Sequence, residues 1–238
     1  MHFLLAANAK HKSFVVQCLN SLNALAYHWT IFDLGGLGFG RPFPIEDETF
    51  NQHGYYKTTY TKRRSIGLHK PQVIAEFLNQ KSNREDGDLV VYLDADTFVR
   101  GRIDEIMGQY DIGVTVRQPS EWVQEGKINA GVIFFRRTLF TKLFLDRWIL
   151  QTRLLGNDQE ALNSLLLSPT CTVAEFPTSV YNWYYFPTKP PAEVKILHFK
   201  SSSREHNELY LKAWNSACSS DYNSTIRVDS QQPICKKR

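Results

Sequence analysis

Leu89-Val90-Val91-Tyr92-Leu93 is an unbroken apolar run that ends abruptly in Asp94-Ala95-Asp96-Thr97. Such a run reads as a buried strand, and few reasons exist for a buried strand to end in two carboxylates one residue apart. Period-two geometry sends Asp94 and Asp96 to the same side if the strand continues, and a turn beginning at Asp94 converges them further. Two carboxylates so placed repel each other unless a cation lies between them, and hard divalent ions take oxygen ligands of this kind. The pair is therefore a candidate metal site at the carboxyl end of a strand.

Two other readings of the pair can be weighed on the residues that follow. A calcium loop needs further oxygen ligands and a glycine at its sixth place, where this chain has Phe98 and Val99, so that reading fails. A phosphatase of the haloacid-dehalogenase kind also carries two aspartates after an apolar strand. Its motif normally lies near the start of the domain, with Thr or Val where Phe98 stands, and it stays as a competing reading.

The totals limit what surrounds the strand. With 238 residues, 42% hydrophobic and 13% aromatic, the chain is long enough for a substantial core and too aromatic to be disordered. One domain is expected. The net charge of +4 is mild, and with Lys and Arg spread along the chain it suits phosphate-bearing ligands or an anionic membrane surface better than nucleic acid. Cys18, Cys171, Cys218 and Cys235 are too widely spaced for a zinc module or a disulfide framework, so free thiols are expected. The opening apolar run lacks a positive lead-in and is short for a signal peptide or a span. The expectation is a cytoplasmic protein, at most peripheral to a membrane.

Taken in order, the chain alternates strand and helix. An apolar run over 3–7 is followed by a helical stripe of Phe14, Val15, Cys18, Leu19, Leu22 and Leu25, and then by a second apolar run over 29–34. That is a βαβ unit with parallel strands, and ligands in such sheets bind beyond the carboxyl ends, here near Ala7, Asn8 and Asp33. Gly35, Gly36, Gly38 and Gly40 do not form a dinucleotide loop, because the spacing is wrong and Arg41-Pro42-Phe43-Pro44 cannot open a helix. Residues 35–61 read instead as a long loop with short extended pieces around 55–60.

Lys70-Pro71 places a proline at the first position of a helix whose apolar side is Val73, Ile74, Phe77 and Leu78. Beyond the central strand come strands over 111–116 and 128–135 and an amphipathic helix on Leu139, Phe140, Leu143, Phe144 and Trp148. A further helix carries Asn157 or Asp158 as its cap. The aromatic run over 181–186 either stacks on a sugar or base or packs the edge of the core. Val194 to Lys200 is a last strand-like run, 205–214 a helix, and 216–238 a polar tail expected to be partly disordered.

Ala6-Ala7-Asn8, Tyr92-Leu93-Asp94-Ala95-Asp96, Asn129-Ala130-Gly131-Val132, Asn157-Asp158-Gln159 and Leu197-His198-Phe199-Lys200 form an ordered set. The set resembles the nucleotide-diphospho-sugar glycosyltransferases of the A type, in particular the glycogenin and lipopolysaccharide galactosyltransferase group, and covers roughly residues 1 to 205. The resemblance implies an α/β fold: a Rossmann-like, mixed and mostly parallel sheet flanked by helices, in one domain spanning 1–215. It also implies a manganese or magnesium ion held by Asp94, Asp96 and His198 and bridging the two phosphates of the donor.

Donor contacts implied by the resemblance are Ala7, Asn8, Asp33, Lys70, Asp94, Ala95 and Asn129, with Lys200 and Arg204 as candidate phosphate cations. Here the chain departs from the glycogenin pattern, since Ser201-Ser202-Ser203-Arg204 stands where a glycine and a later Lys-Pro are usual. The Asn-Asp-Gln context is similar to that of retaining enzymes, in which Asp158 and Gln159 would steady an oxocarbenium-like centre; inversion through a carboxylate base stays open. The activity implied is transfer of a hexose from a nucleotide diphosphate sugar, uridine-linked, to a hydroxyl of a glycan, lipid-linked sugar or protein. The alternatives are an inactive nucleotide- or carbohydrate-binding module, or a phosphatase or nucleotidyltransferase using the same aspartates.

Overall fold

The computed structural model describes residues 1–43, 65–80, 88–121, 126–184 and 190–199. Met1–Lys200 forms one compact unit. The expected boundary at 215, the tail beyond it, the helix over 205–214 and the extended pieces around 55–60 lie outside the described residues.

The leading βαβ unit forms as expected: β1 (His2–Ala7), α1 (Lys12–Ala24) and β2 (His28–Asp33), with β1 and β2 parallel. A two-residue strand β3 (Arg41–Pro42) follows, then α2 (Ser65–Asn79), β4 (Leu89–Leu93) and β5 (Thr97–Val99). The second half contributes β6 (Ile112–Val116), β7 (Ile128–Arg136), α3 (Leu139–Leu155), α4 (Asp158–Leu165), β8 (Val173–Pro177), α5 (Thr178–Tyr181) and β9 (Ile196–His198). Seven strands make one sheet in the order β3-β2-β1-β4-β7-β6-β8. Among the described residues of this sheet, only β7 runs against its neighbours, pairing antiparallel with both β4 and β6. β5 and β9 form a separate antiparallel ribbon.

All six residues of β1 and all five of β4 are buried, the signature of a sheet covered on both faces. Alternation along β1 divides the core. Phe3, Leu5 and Ala7 join Val15, Cys18 and Leu22 of α1, whereas Leu4 and Ala6 join Val73, Ile74, Phe144, Trp148 and Leu162 from α2, α3 and α4. Cys18 and Cys171 are free thiols. No helix among the described residues is long and apolar enough to cross a membrane.

Three expectations need correction. Pro71 does not begin a helix: α2 starts at Ser65 and carries Pro71 in its interior. An internal proline costs about 3 kcal/mol. The buried side of α2, with Val73, Ile74, Phe77 and Leu78 in the core, outweighs that cost. The apolar residues of α3 do not share one buried face either. Phe144 and Trp148 are buried, but Leu139, Phe140 and Leu143 are exposed, and the inward side is completed by Leu145, Thr141 and Thr152. The last strand is shorter than 194–200 and stands in the ribbon rather than in the main sheet.

Candidate functional site

The sheet's topology decides where the polar residues meet. Parallel strands β1, β2 and β4 end together, with Ala7 opposite Asp33 and Leu5 opposite Leu93. The reversed strand β7 begins where they end, so Asn129, Ala130 and Gly131 lie beside Asp94, whose N–H donates to Gly131 O at 2.8 Å.

After Asp94 the chain turns, and the Thr97 hydroxyl closes the turn on Asp94 O at 2.9 Å. The ribbon then pairs Thr97 with His198, while Phe199 N–H donates to Asp96 O at 2.7 Å. A residue a hundred positions downstream is thereby brought onto the aspartates. His198 Nε2 lies 3.4 Å from Asp96 Oδ1 and 3.8 Å from Asp94 Oδ2. One ligating atom from each of Asp94, Asp96 and His198 falls within 4.8 Å of the others, with His198 buried and the aspartates partly so. Gly131 makes room for the imidazole: a Cβ there would lie 2.5 Å from His198 Nδ1 and nearer still to its Cε1.

Lys70 braces this cluster from α2. Its Nζ is 2.9 Å from Asp94 Oδ1, 2.9 Å from Asp158 Oδ2 and 2.9 Å from Ala130 O, so its three N–H donors have three acceptors within the protein. Burial opposes the charge on Lys70, but the carboxylates of Asp158 and Asp94 outweigh it and raise the ammonium pKa. With the carboxyls ionised, Asp94, Asp96 and Asp158 against one ammonium leave two negative charges, which a divalent cation would balance. Two carboxylates and an imidazole suit such an ion, so the residues present fit the metal.

Asn157, not Asp158, caps α4, its Oδ1 accepting from Gln159 N at 3.0 Å and Glu160 N at 3.2 Å. Asp158 is therefore free of capping duty and its carboxylate turns to Lys70. Gly67 leaves space for it, because a Cβ there would sit 2.6 Å from Asp158 Oδ1. Gln159 Oε1 accepts from Ala130 N and from Arg117 Nη2, both at 3.3 Å, which ties the amide to the start of β7. Asn129 Oδ1 accepts from Gly131 N at 3.0 Å, while its buried Nδ2 has no hydrogen-bond partner among the described residues.

Ala7, Asn8 and Asp33 stand at the same sheet edge with local duties. Asn8 Oδ1 accepts from Lys10 N at 3.1 Å, starting the turn Ala9–His11. Asp33 collects the N–H groups of Gly35, Leu37 and Gly38, which against a desolvation cost hold its carboxyl below the usual range. The glycine cluster is thus a loop shaped around one aspartate, with Gly35, Gly36, Gly38 and Gly40 all left-handed. Ala95 is buried between the two aspartates in sequence. Lys200 and Arg204 lie outside the described residues.

Of the aromatic run, Tyr181 and Trp183 pack the edge of the core, Tyr181 against Phe134 and Phe176, which favours the packing reading for those two. Between them sits the residue that sequence reasoning passed over. Asn182 is fully buried, its Oδ1 2.8 Å from His198 Nδ1 and its Nδ2 2.7 Å from Thr115 Oγ1. The available signal was a lone amide in an otherwise aromatic stretch, Tyr181-Asn182-Trp183-Tyr184.

Neither protein-family models nor curated protein sequences give a match to this chain. Solved structures do. A glycosyltransferase involved in glycosylation of the major capsid of PBCV-1 superposes with a TM-score of 0.61 at 11% identity, covering 89% of this chain and 98% of that one. The galactosyltransferase LgtC, in complex with donor and acceptor sugar analogs, gives 0.51 at 14% identity, over 95% of this chain and 98% of its own. The glycosyltransferase GlyE of Streptococcus pneumoniae TIGR4 gives 0.54 at 16% identity, over 95% and 66%. At these identities the likeness is one of fold. The chain has the A-type glycosyltransferase fold, a Rossmann-like mixed sheet between helices.

Proposed function

We propose that this protein is a metal-dependent hexosyltransferase that takes its sugar from a nucleotide diphosphate donor, uridine-linked, and passes it to a hydroxyl of a glycan, lipid-linked sugar or protein. The observation that carries the reading is the convergence of Asp94, Asp96 and His198 within 4.8 Å at the carboxyl edge of a sheet with this fold. Manganese or magnesium bound there would supply counter-charge to the β-phosphate as it leaves.

The remaining residues have chemistry suited to the sugar. Asn129 Nδ2, buried and unpartnered among the described residues, is a donor that a sugar hydroxyl would satisfy. Asp158, fixed by Lys70 and relieved of capping, would offer a carboxylate to the anomeric centre of a bound donor, and Gln159 lies in the next position on α4. That arrangement supports retention, with Asp158 and Gln159 steadying positive charge at the ring while the departing phosphate takes the acceptor's proton. Lys70, with all three donors used inside the protein, holds the carboxylates in register rather than reaching for phosphate. Lys200 and Arg204, close to His198 in the chain, are proposed for the phosphates, Ala7, Asn8, Asp33 and Ala95 for the nucleotide side. The charge of +4 supports work on phosphate-bearing substrates or beside an anionic membrane surface, and the cytoplasm is the location proposed. We assign the transfer unit to 1–215.

A thermal-shift screen of nucleotide sugars with and without manganese tests the reading. A manganese-dependent rise in melting temperature with one nucleotide diphosphate sugar, absent in Asp96→Ala, is expected. If no such donor stabilises the native protein, or Asp96→Ala responds as the native protein does, the reading is wrong.

A further inference from the structure

His198 can serve a cation only through a ring nitrogen that carries no proton, and its immediate neighbours determine which nitrogen that is. The ordering of hydrogens starts at Thr115. Its hydroxyl has one hydrogen, and two backbone carbonyls compete for it: Asn129 O at 2.9 Å and Val132 O at 3.3 Å. Carbonyl oxygens cannot donate, so the hydrogen points to them and Oγ1 is left only lone pairs, one of which accepts from its third neighbour. The group facing that lone pair at 2.7 Å is the Asn182 amide, which is therefore turned with Nδ2 toward Thr115. Asn182 Oδ1 then faces His198 Nδ1 at 2.8 Å and can only accept, so Nδ1 is the protonated nitrogen. Nε2 is left with its lone pair, on the side of Asp94 and Asp96.

The strands place these groups for the purpose. The pairing of β6 with β7 slips between Val114 and Thr115, so that Val114 faces Ile133 but Thr115 faces Asn129. Residues 130–132 bulge out of that ladder, and both carbonyls bounding the bulge become available to one hydroxyl. Thr115 and Asn182 have no exposed surface, so water does not compete for the amide or the hydroxyl. Lys195 N–H on Val180 O and His198 N–H on Trp183 O, both at 2.8 Å, hold the two segments together.

We propose that Thr115 and Asn182 are positioning residues: a proton-ordering relay that fixes His198 as its Nδ1–H tautomer and presents Nε2 to a divalent cation. The relay rests on reading Asp94, Asp96 and His198 as the cation site, but its tautomer is a property of the metal-free protein. Without the relay the neutral ring is free to place its hydrogen on Nε2, against the cation.

The test is ¹⁵N NMR of the His198 ring in the metal-free protein at alkaline pH, paired with a manganese titration. The native protein should show the Nδ1–H tautomer. Asn182→Leu should lose that preference and weaken manganese binding about 10- to 100-fold, the usual effect of removing the partner of a ligating histidine. Thr115→Val should do the same more weakly, because Asn182 Nδ2 keeps Asn129 O at 3.5 Å, and Thr115→Ser should restore the native signals. A native Nε2–H tautomer overturns the relay outright. So do variants that melt earlier yet keep the native tautomer and manganese affinity. Native protein with the Nδ1–H tautomer but no affinity for manganese upholds the relay and overturns the cation site.

Discussion

Gly131→Ala should uncouple the stability of the fold from the competence of the site. Gly131 is not left-handed, so alanine suits the backbone and the effect is one of space. The new methyl would lie 2.5 Å from His198 Nδ1 and nearer to Cε1, whereas an ordinary contact needs at least 3.4 Å. The imidazole must therefore retreat by about an ångström. Its backbone is held by Trp183 O and by the ribbon register, so the ring has to swing away from Asn182 and from the aspartates.

Overpacking of this kind costs about 1–3 kcal/mol, or roughly 2–12 °C in melting temperature for a chain of this size. Gly113→Ala is the matched control. Its methyl would meet Phe176 at 2.7 Å and Phe134 at 3.0 Å in the same sheet, away from His198. Both variants should melt earlier than the native protein without metal. Manganese should stabilise Gly113→Ala as fully as the native chain, but a tenfold or greater loss of affinity in Gly131→Ala removes about 1.4 kcal/mol of that stabilisation. Differential scanning fluorimetry over a manganese series reads both effects. Equal manganese stabilisation of the two variants would falsify the role of His198 as a ligand.

Further outcomes follow from the same contacts. Lys70→Met removes the ammonium shared by Asp94 and Asp158, and should cost about 3 kcal/mol in urea unfolding without metal, the low end for a broken buried pair because Asp94 stays partly in water. Manganese should recover more stability in this variant than in the native protein; native-like stability without metal contradicts the bracing role. Burial opposes ionisation of Asp111, but the hydrogen bonds it accepts from Thr138 and Thr172 prevail and lower its pKa in the fold. Its stabilisation is complete above the unfolded carboxyl value and is lost as pH falls through the lower folded one. The advantage of the native protein over Asp111→Asn, measured by unfolding at neutral pH, should thus shrink below about pH 4; a gap that is constant down to acid pH contradicts this. Asn157→Ala strips the cap from α4 and should cost about 1 kcal/mol, with a larger loss of transfer rate than of stability if Asp158 and Gln159 act from that first turn. Donor-saturated kinetics beside a melting curve separates the two.

The sequence by itself determined the elements whose causes are local. Leu89–Leu93 is apolar on both faces and must be an inner strand; the stripe on α1 and the two flanking runs make a βαβ unit; Asn157 or Asp158, ahead of Gln-Glu, caps a helix, and the structure chose Asn157. The two aspartates at the strand end follow from the same local reading. Local rules misjudged Pro71, where propensity argued for a helix start and core packing on Val73, Ile74 and Phe77 decided otherwise. They also took Leu139, Phe140 and Leu143 for a buried stripe, although which side of α3 faces the sheet depends on how α2 and α4 pack beside it. Only the tertiary structure could reverse β7, set Asn129 and Gly131 beside Asp94, and fold a short ribbon that carries His198 back onto Asp96. Those contacts join residues from 35 to 102 positions apart, and nothing in a local pattern records them. Asn182 and Thr115 belong to the same class: an amide and a hydroxyl acquire direction only from the groups that surround them once water is gone.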